Sequence, residues 1–313
     1  MGSADGANTE RPMRITNNMI ADQVLSAIVG SRNRLNKIEE QLATSKRINR
    51  PSDDPLGSTL ILQFTTATKA LNAFQRATDA GQAFLRATAD PLDHIAEILV
   101  RAKEIGLEGS SDTSQGTRGA MASEVNQLLE DLLSQGNGRF ADRYLFGGTQ
   151  TAAPPFSATR DASGQITAVT ANPLGTDGTV QAAVADGVRV QTNIPGSTVF
   201  SKTVDLFTGL INLRDALAAE DTAAVVTATT TVDQGVTQVT DASGTIGAAI
   251  QRMDAIRALN QKDLTRFESL RSSVQDADIA ELYVELQTRE QALQASLAAG
   301  ARAMQPSLLD FLS

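Results

Sequence analysis

Residues 232–274 read VDQGVTQVTDASGTIGAAIQRMDAIRALNQKDLTRFESLRSSV, and in this stretch one rhythm recurs. Val232, Val236, Val239, Ser243, Ile246, Ile250, Met253, Arg257, Asn260, Leu264, Phe267, Arg271 and Val274 follow one another at steps of three and four residues. A stripe with mean spacing near 3.5 residues keeps a single edge of a helix turned toward a partner, as coiled coils require. At 1.5 Å rise per residue this run predicts a rod roughly 65 Å long, too long for an ordinary globular core.

The same rhythm occurs upstream. Leu60, Phe64, Ala67, Leu71, Phe74, Thr78, Gly81, Leu85, Thr88, Leu92, Ile95 and Leu99 keep it without a missed step, as do Val24, Ile28, Ser31, Leu35, Ile38 and Leu42 before them. Ile279, Leu282, Leu286, Leu293, Leu297 and Met304 close the C-terminal half. Between the halves, residues 150–205 lose the period and are dotted with Gly, Pro, Asp and Thr. The expected fold class is therefore mainly α with a small β insert. It is an elongated antiparallel helical bundle or coiled coil made by the N- and C-terminal segments, with one outward β-domain.

Local chemistry marks the joints. In Asn49-Arg50-Pro51-Ser52-Asp53-Asp54-Pro55, Asp54 is a good helix N-cap and Pro55 suits the first helical position, where its missing N–H costs nothing. Pro51 disfavours helix at Arg50, so the first helix is expected to end near Asn49. Gly106–Gly116 is a second break, and in Asp276-Ala277-Asp278 one carboxylate can cap the final helix while the other favours its positive end. Within the insert, Val180–Ala185 and Val188–Ile194 read as strands joined at Asp186-Gly187, a pair suited to a two-residue type I′ turn. Gln165–Val169 is a further strand candidate, entered from the turn at Asp161–Gly164, and Pro195-Gly196 ends the hairpin. The boundaries that follow are a disordered leader at 1–12, an assembly helix at 13–50, rod segments at 51–149 and 207–275, a β-rich insert at 150–206 and a second assembly helix at 276–313.

Composition removes whole classes of function. The chain of 313 residues holds no Trp and two Tyr, and aromatics total 4%, so the seams are built from small residues and pack thinly. Such stripes gain more when neighbouring chains cover further faces, so the ends are expected to be loose in a monomer and to firm up on assembly. A net charge of −9, without a cluster of Lys or Arg among aromatics, argues against nucleic acid. Zero cysteines exclude disulfides, thiolate metal sites and thiol catalysis. One histidine, His94, cannot build a triad or a His-based zinc site, and it reads as a solvated or seam-edge helix residue. Phe146-Gly147-Gly148-Thr149 lacks the spacings that cradle phosphate. No cofactor and no metal is expected, an enzyme is the remaining outsider, and no run of 18 apolar residues is present to insert in a membrane.

The joint sequence carries a resemblance. Lys46-Arg-Ile-Asn-Arg-Pro-Ser-Asp-Asp-Pro-Leu-Gly57 resembles the signature of the flagellin family at the turn between its first two helices, contributed by Arg47, Asn49, Pro51, Asp53, Asp54 and Pro55. Met13–Met19 is similar to the family's N-terminus, and residues 274–281, 291–297 and 307–312 to its C-terminal helix and tail. Within the family, the block from Gly138 to Thr149, followed by Pro154-Pro-Phe156, resembles the branch that joins hook to filament, and Val188–Phe200 fits that branch's β insert.

The resemblance implies a structural component of the bacterial flagellum, exported unfolded by the flagellar type III apparatus without a cleaved signal. Such an adaptor lies outside the cell between the hook, reached through hook-associated protein 1, and the flagellin filament. Its implied partners are hook-associated protein 1, flagellin, further copies of itself in a ring, and an export chaperone at the C-terminal helix. A short flagellin forming the filament itself is the near alternative, and an unrelated coiled-coil scaffold or a type III translocator a more distant one. In the adaptor reading, Val24, Ile28, Leu35, Ile38 and Leu42 meet Ile279, Leu286, Leu293 and Leu297, with adjacent subunits completing the burial. Each of these side chains is equally consistent with ordinary intramolecular core.

Overall fold

The computed structural model describes residues 17–111 and 116–303. The expected leader, the Met13 start, Met304 and the 307–312 tail lie outside the described residues. In chain order the helices are α1 (Asn17–Thr44), α2 (Pro55–Gly109), α3 (Arg118–Gly136), α4 (Gly196–Phe200), α5 (Leu206–Ala218), α6 (Thr222–Gln275) and α7 (Ile279–Ala303). Six short strands lie between α3 and α4: β1 (Arg139–Phe140), β2 (Arg143–Tyr144), β3 (Phe156–Arg160), β4 (Ile166–Ala171), β5 (Gln181–Ala185) and β6 (Val188–Gln191). They pair antiparallel as three separate hairpins. The chain divides into two compact units, residues 1–67 with 266–313 and residues 68–265, with both boundaries inside long helices.

The second unit owes its core to the seams. On α2, Thr78, Gly81, Leu85, Thr88, Leu92, Ile95 and Leu99 are all buried, at the 3–4 steps the sequence sets. On α6, Val232, Val239, Ile246, Met253 and Asn260 are buried, while Val236, Ser243 and Ile250 are half-buried. Arg257 is the exception: it lies exposed and pairs with Asp79 at 3.3 Å, because a guanidinium leaves an apolar edge for a carboxylate and water. Val125, Leu129 and Leu132 of α3 and Leu206, Leu210, Leu213 and Leu217 of α5 complete this core. His94 is exposed and faces Glu97 across 3.3 Å, as a solvated helix residue should.

The β region is small, and its inward residues belong to the helical core. Phe146, Phe156, Phe200 and Phe207 pack with ring centroids 4.6–5.3 Å apart, which fastens the hairpin segment to α4 and α5. Arg214 of α5, almost wholly buried, donates to the Ile166 carbonyl at 2.7 Å and to Asn126 Oδ1 at 3.1 Å, holding β4 beside α3. Asn260 Nδ2 donates to the Val184 carbonyl at 2.8 Å and ties β5 to α6.

Three local expectations change. α1 stops at Thr44 rather than near Asn49, because Ser45 turns left-handed at φ +56° and the Thr44 hydroxyl bonds back to the Glu40 carbonyl. Of Asp186 and Gly187 only the glycine has positive φ, so the β5–β6 turn is not type I′, and a bulge between Ala183 and Ala185 takes up the twist. The turn with two positive φ values sits instead between β1 and β2, at Ala141 (47°) and Asp142 (63°). Strand β3, which the sequence reading did not single out, pairs with the expected strand at β4.

Candidate functional site

The first unit brings the two distant joints of the chain together. After α1 the segment 45–54 turns back, and its backbone meets the end of α6. The Arg47 amide donates to the Gln275 carbonyl at 2.8 Å, and the Ala277 amide donates to the Ser45 carbonyl at 3.2 Å, flanking a bridge between Lys46 and Asp276. The last carbonyls of a helix have no partner within it and carry its partial negative charge. Arg47 answers both needs at α6: its guanidinium reaches the Val274 carbonyl at 2.9 Å and Asp54 Oδ2 at 3.4 Å.

The acidic pair then fixes the turn. Asp53 Oδ2 accepts the amides of Asn49 at 3.1 Å and Arg50 at 2.9 Å, while Lys37 reaches Oδ1 at 3.0 Å. These contacts, the Arg50 amide first and the Lys37 ammonium next, hold the Asp53 carboxyl below the ordinary aspartate value. Asp54 Oδ1 accepts the Gly57 amide at 2.9 Å and so caps α2, with Pro55 at its first position. That bond, helped by Arg47, lowers the Asp54 carboxyl too. Asn49 Nδ2 donates to the Lys46 carbonyl at 3.3 Å, and Pro51 lies exposed at the tip of the turn. Beneath it Ile48 and Ile38 are both 4% exposed, an apolar floor under a polar clasp.

Opposite, Asp278 Oδ1 accepts the amides of Ala280 and Glu281 and starts α7. Asp276 instead accepts the Ser272 hydroxyl at 2.5 Å. From there α7 packs against α1. Val24, Ile28, Leu35 and Leu42 are half-buried and Ile38 is buried, while their neighbours on the outer face of α1 are exposed. Close approach at the far end depends on Gly300, where a Cβ would lie 2.7 Å from Val24 Cγ1.

On α7 the inward row is Leu282, Leu286, Arg289, Leu293, Ser296 and Gly300. Leu286 and Leu293 are therefore where a seam needs them, but Ile279 and Leu297 are 38% and 49% exposed. The step from Leu293 runs to Ser296 and Gly300, because the small residues admit α1 closely and a leucine does not. Lys37, Glu40, which pairs with Arg50 at 3.0 Å, Gln41, whose Nε2 donates to the Arg47 carbonyl at 2.7 Å, and the carbonyls of Val274 and Gln275 escape a reading by sequence. Lys37 and Glu40 sit one helical step apart on the polar face of α1, and no local signal links residue 47 to residue 274.

The arrangement is suited to fastening. Among the described residues no group of three His, Cys, Asp or Glu is placed to hold a metal ion. Among them, too, no helix is long and apolar enough to cross a membrane.

Comparison with known proteins agrees with the joint. The profile of the bacterial flagellin N-terminal helical region matches residues 15–151, and that of the flagellin C-terminal helical region matches residues 229–312. A flagellar hook-associated protein 3 of Salmonella typhimurium is 27% identical over 146 residues, 46% of each chain. A flagellar filament 41 kDa core protein of Borreliella burgdorferi is 31% identical over 121 residues, 36% of each. The matched region spans less than half the length of both relatives. Among solved structures, the FlgL of Xanthomonas campestris covers 67% of this chain and 99% of its own, at 16% identity and TM-score 0.58. The flagellar junction protein FlgL of Legionella pneumophila covers 69% and 99%, at 15% identity and TM-score 0.57. With both helical regions matched on either side of the β segment, and the signature turn closed on the end of α6, the chain belongs to the bacterial flagellin family.

Proposed function

We propose that this chain is a structural adaptor of the flagellum that joins the hook, through hook-associated protein 1, to the flagellin filament. The observation that carries the reading is the α1–α7 pair, clasped at residues 45–54 and 274–278, with large apolar side chains left on its outside. Leu25 and Val29 on α1 and Tyr283, Val284 and Leu297 on α7 are each about half exposed or more. A paired element with both an internal seam and an unburied apolar face is built to be covered by neighbours. Repetition of such heterologous contacts gives rings or helices.

In this reading residues 13–50 and 276–313 are the assembly layer, 51–149 and 207–275 the supporting rod, and 150–206 the insert. The nine seam residues act through the α1–α7 pair: Leu286 and Leu293 as internal contacts, Ile279 and Leu297 as contacts to adjacent subunits. The chain leaves the cell through the type III apparatus, with a chaperone covering α7 beforehand, and it works without catalysis. The likeness to a filament core protein favours a second reading, in which the chain forms filament itself.

Hook ends incubated with purified chain and examined by electron microscopy separate the two. Decoration of hook ends only after hook-associated protein 1 is added is the expected result. Long filaments from the chain alone would establish the second reading instead.

A further inference from the structure

Independently of any flagellar role, Arg118 breaks two local rules. It is the first residue of α3, where the helix dipole disfavours a cation, and it is 1% exposed. Thr117 gives this helix start no side-chain cap.

Among the described residues the acceptors of Arg118 are neutral, and they come from two separate turns. Nε donates to the Gly109 carbonyl at 2.9 Å and Nη2 to the Ser111 carbonyl at 3.2 Å, at the end of α2. Nη1 donates to the Glu220 carbonyl at 3.0 Å and Nη2 to Thr222 Oγ1 at 3.0 Å, between α5 and α6. Glu220 occupies the position after the α5 cap where glycine is preferred, at φ +57°. Its amide bonds to the Leu217 carbonyl at 3.2 Å and the next amide bonds to Ala216, an ending that leaves the Glu220 carbonyl turned toward the guanidinium. Desolvating a guanidinium is costly unless its donors are met, and here the negative ends of two helices meet them. Removing it strips four acceptors at once, and the two turns lose their shared partner.

We propose that Arg118 is a positioning residue, a staple that makes the end of α2, at Gly109–Ser111, and the α5–α6 turn open and close as one local unit. Hydrogen exchange on the full chain, read by peptide, tests this with Arg118→Met, Arg118→Lys and Thr222→Val. In Arg118→Met, amides of residues 105–111 and 217–225 should both exchange at least about tenfold faster, while residues 88–99 and 236–253 keep their wild-type rates. Arg118→Lys, which keeps charge but lacks the fork, should show the same footprint at lower amplitude. Thr222→Val removes one acceptor only and should speed both turns together, so it decides the matter even if Arg118→Met does not fold. Acceleration of one turn without the other, a uniform rise through residues 68–265, or wild-type exchange in all three variants would overturn the proposal.

Discussion

At the level of single residues, the clasp depends on where charge and backbone freedom are placed. Asp53 is the pivot, because one of its oxygens meets two amides and the other meets Lys37. Its folded carboxyl titrates below the ordinary value of 3.8. Its contribution to stability is therefore complete above that value and is lost as pH falls through the lower, folded midpoint. NMR titration of the Asp53 carboxyl should give a midpoint under 3.8, and it should stay under 3.8 in Lys37→Ala, since the Arg50 amide is the larger cause. Gly148 is fixed by a different constraint. It adopts φ +56°, and a Cβ there would sit 2.1 Å from the Asp177 carbonyl oxygen, which belongs to rigid backbone. Gly148→Ala should cost at least about 1–3 kcal/mol in denaturant unfolding, and wild-type stability would show that the 146–150 turn yields more easily than its geometry implies.

Among the elements, long helices were legible and short strands were less so. The 3–4 rhythm marks the inward face of α2 and α6 because every step is local, and a helix repeats its face regardless of what covers it. Arg257 failed because periodicity counts positions and ignores whether a side chain tolerates burial. Strand β3 escaped because Phe156–Arg160 alternates weakly, its pairing with β4 being settled by the register Phe156↔Ala171 and by the phenylalanine cluster. The signature turn was readable as a joint with a cap. Its partner was not, since the carbonyls of Val274 and Gln275 have no sequence identity and lie more than two hundred residues away. On α7 the seam shifts from the apolar pattern to Ser296 and Gly300, a choice made by the closeness of α1. The phenylalanine cluster belongs to this scale as well. Phe200 is 1% exposed and touches three other rings, so Phe200→Ala should lose about 3–5 kcal/mol of stability in chemical denaturation. A loss under about 1 kcal/mol would mean that the β region is held by its hydrogen bonds to Arg214 and Asn260 instead.

At the scale of the whole molecule, the two compact units differ in what their helices bury. Residues 68–265 form a compact unit with a buried core of their own, and the α1–α7 pair keeps Leu25, Val29, Tyr283, Val284 and Leu297 outside. Leu42→Asp and Leu293→Asp place a charge at half-buried seam positions of that pair alone. Both variants should fail to join hook ends while keeping wild-type unfolding of residues 68–265 by hydrogen exchange, and incorporation by either would remove the seam from the assembly mechanism. The most direct test of the adaptor role is the amount of chain bound per hook end, in the presence of hook-associated protein 1, as free chain is increased. The adaptor account predicts a plateau, a fixed complement per hook that further protein does not raise. Continued growth into filaments with each increment of protein would contradict it.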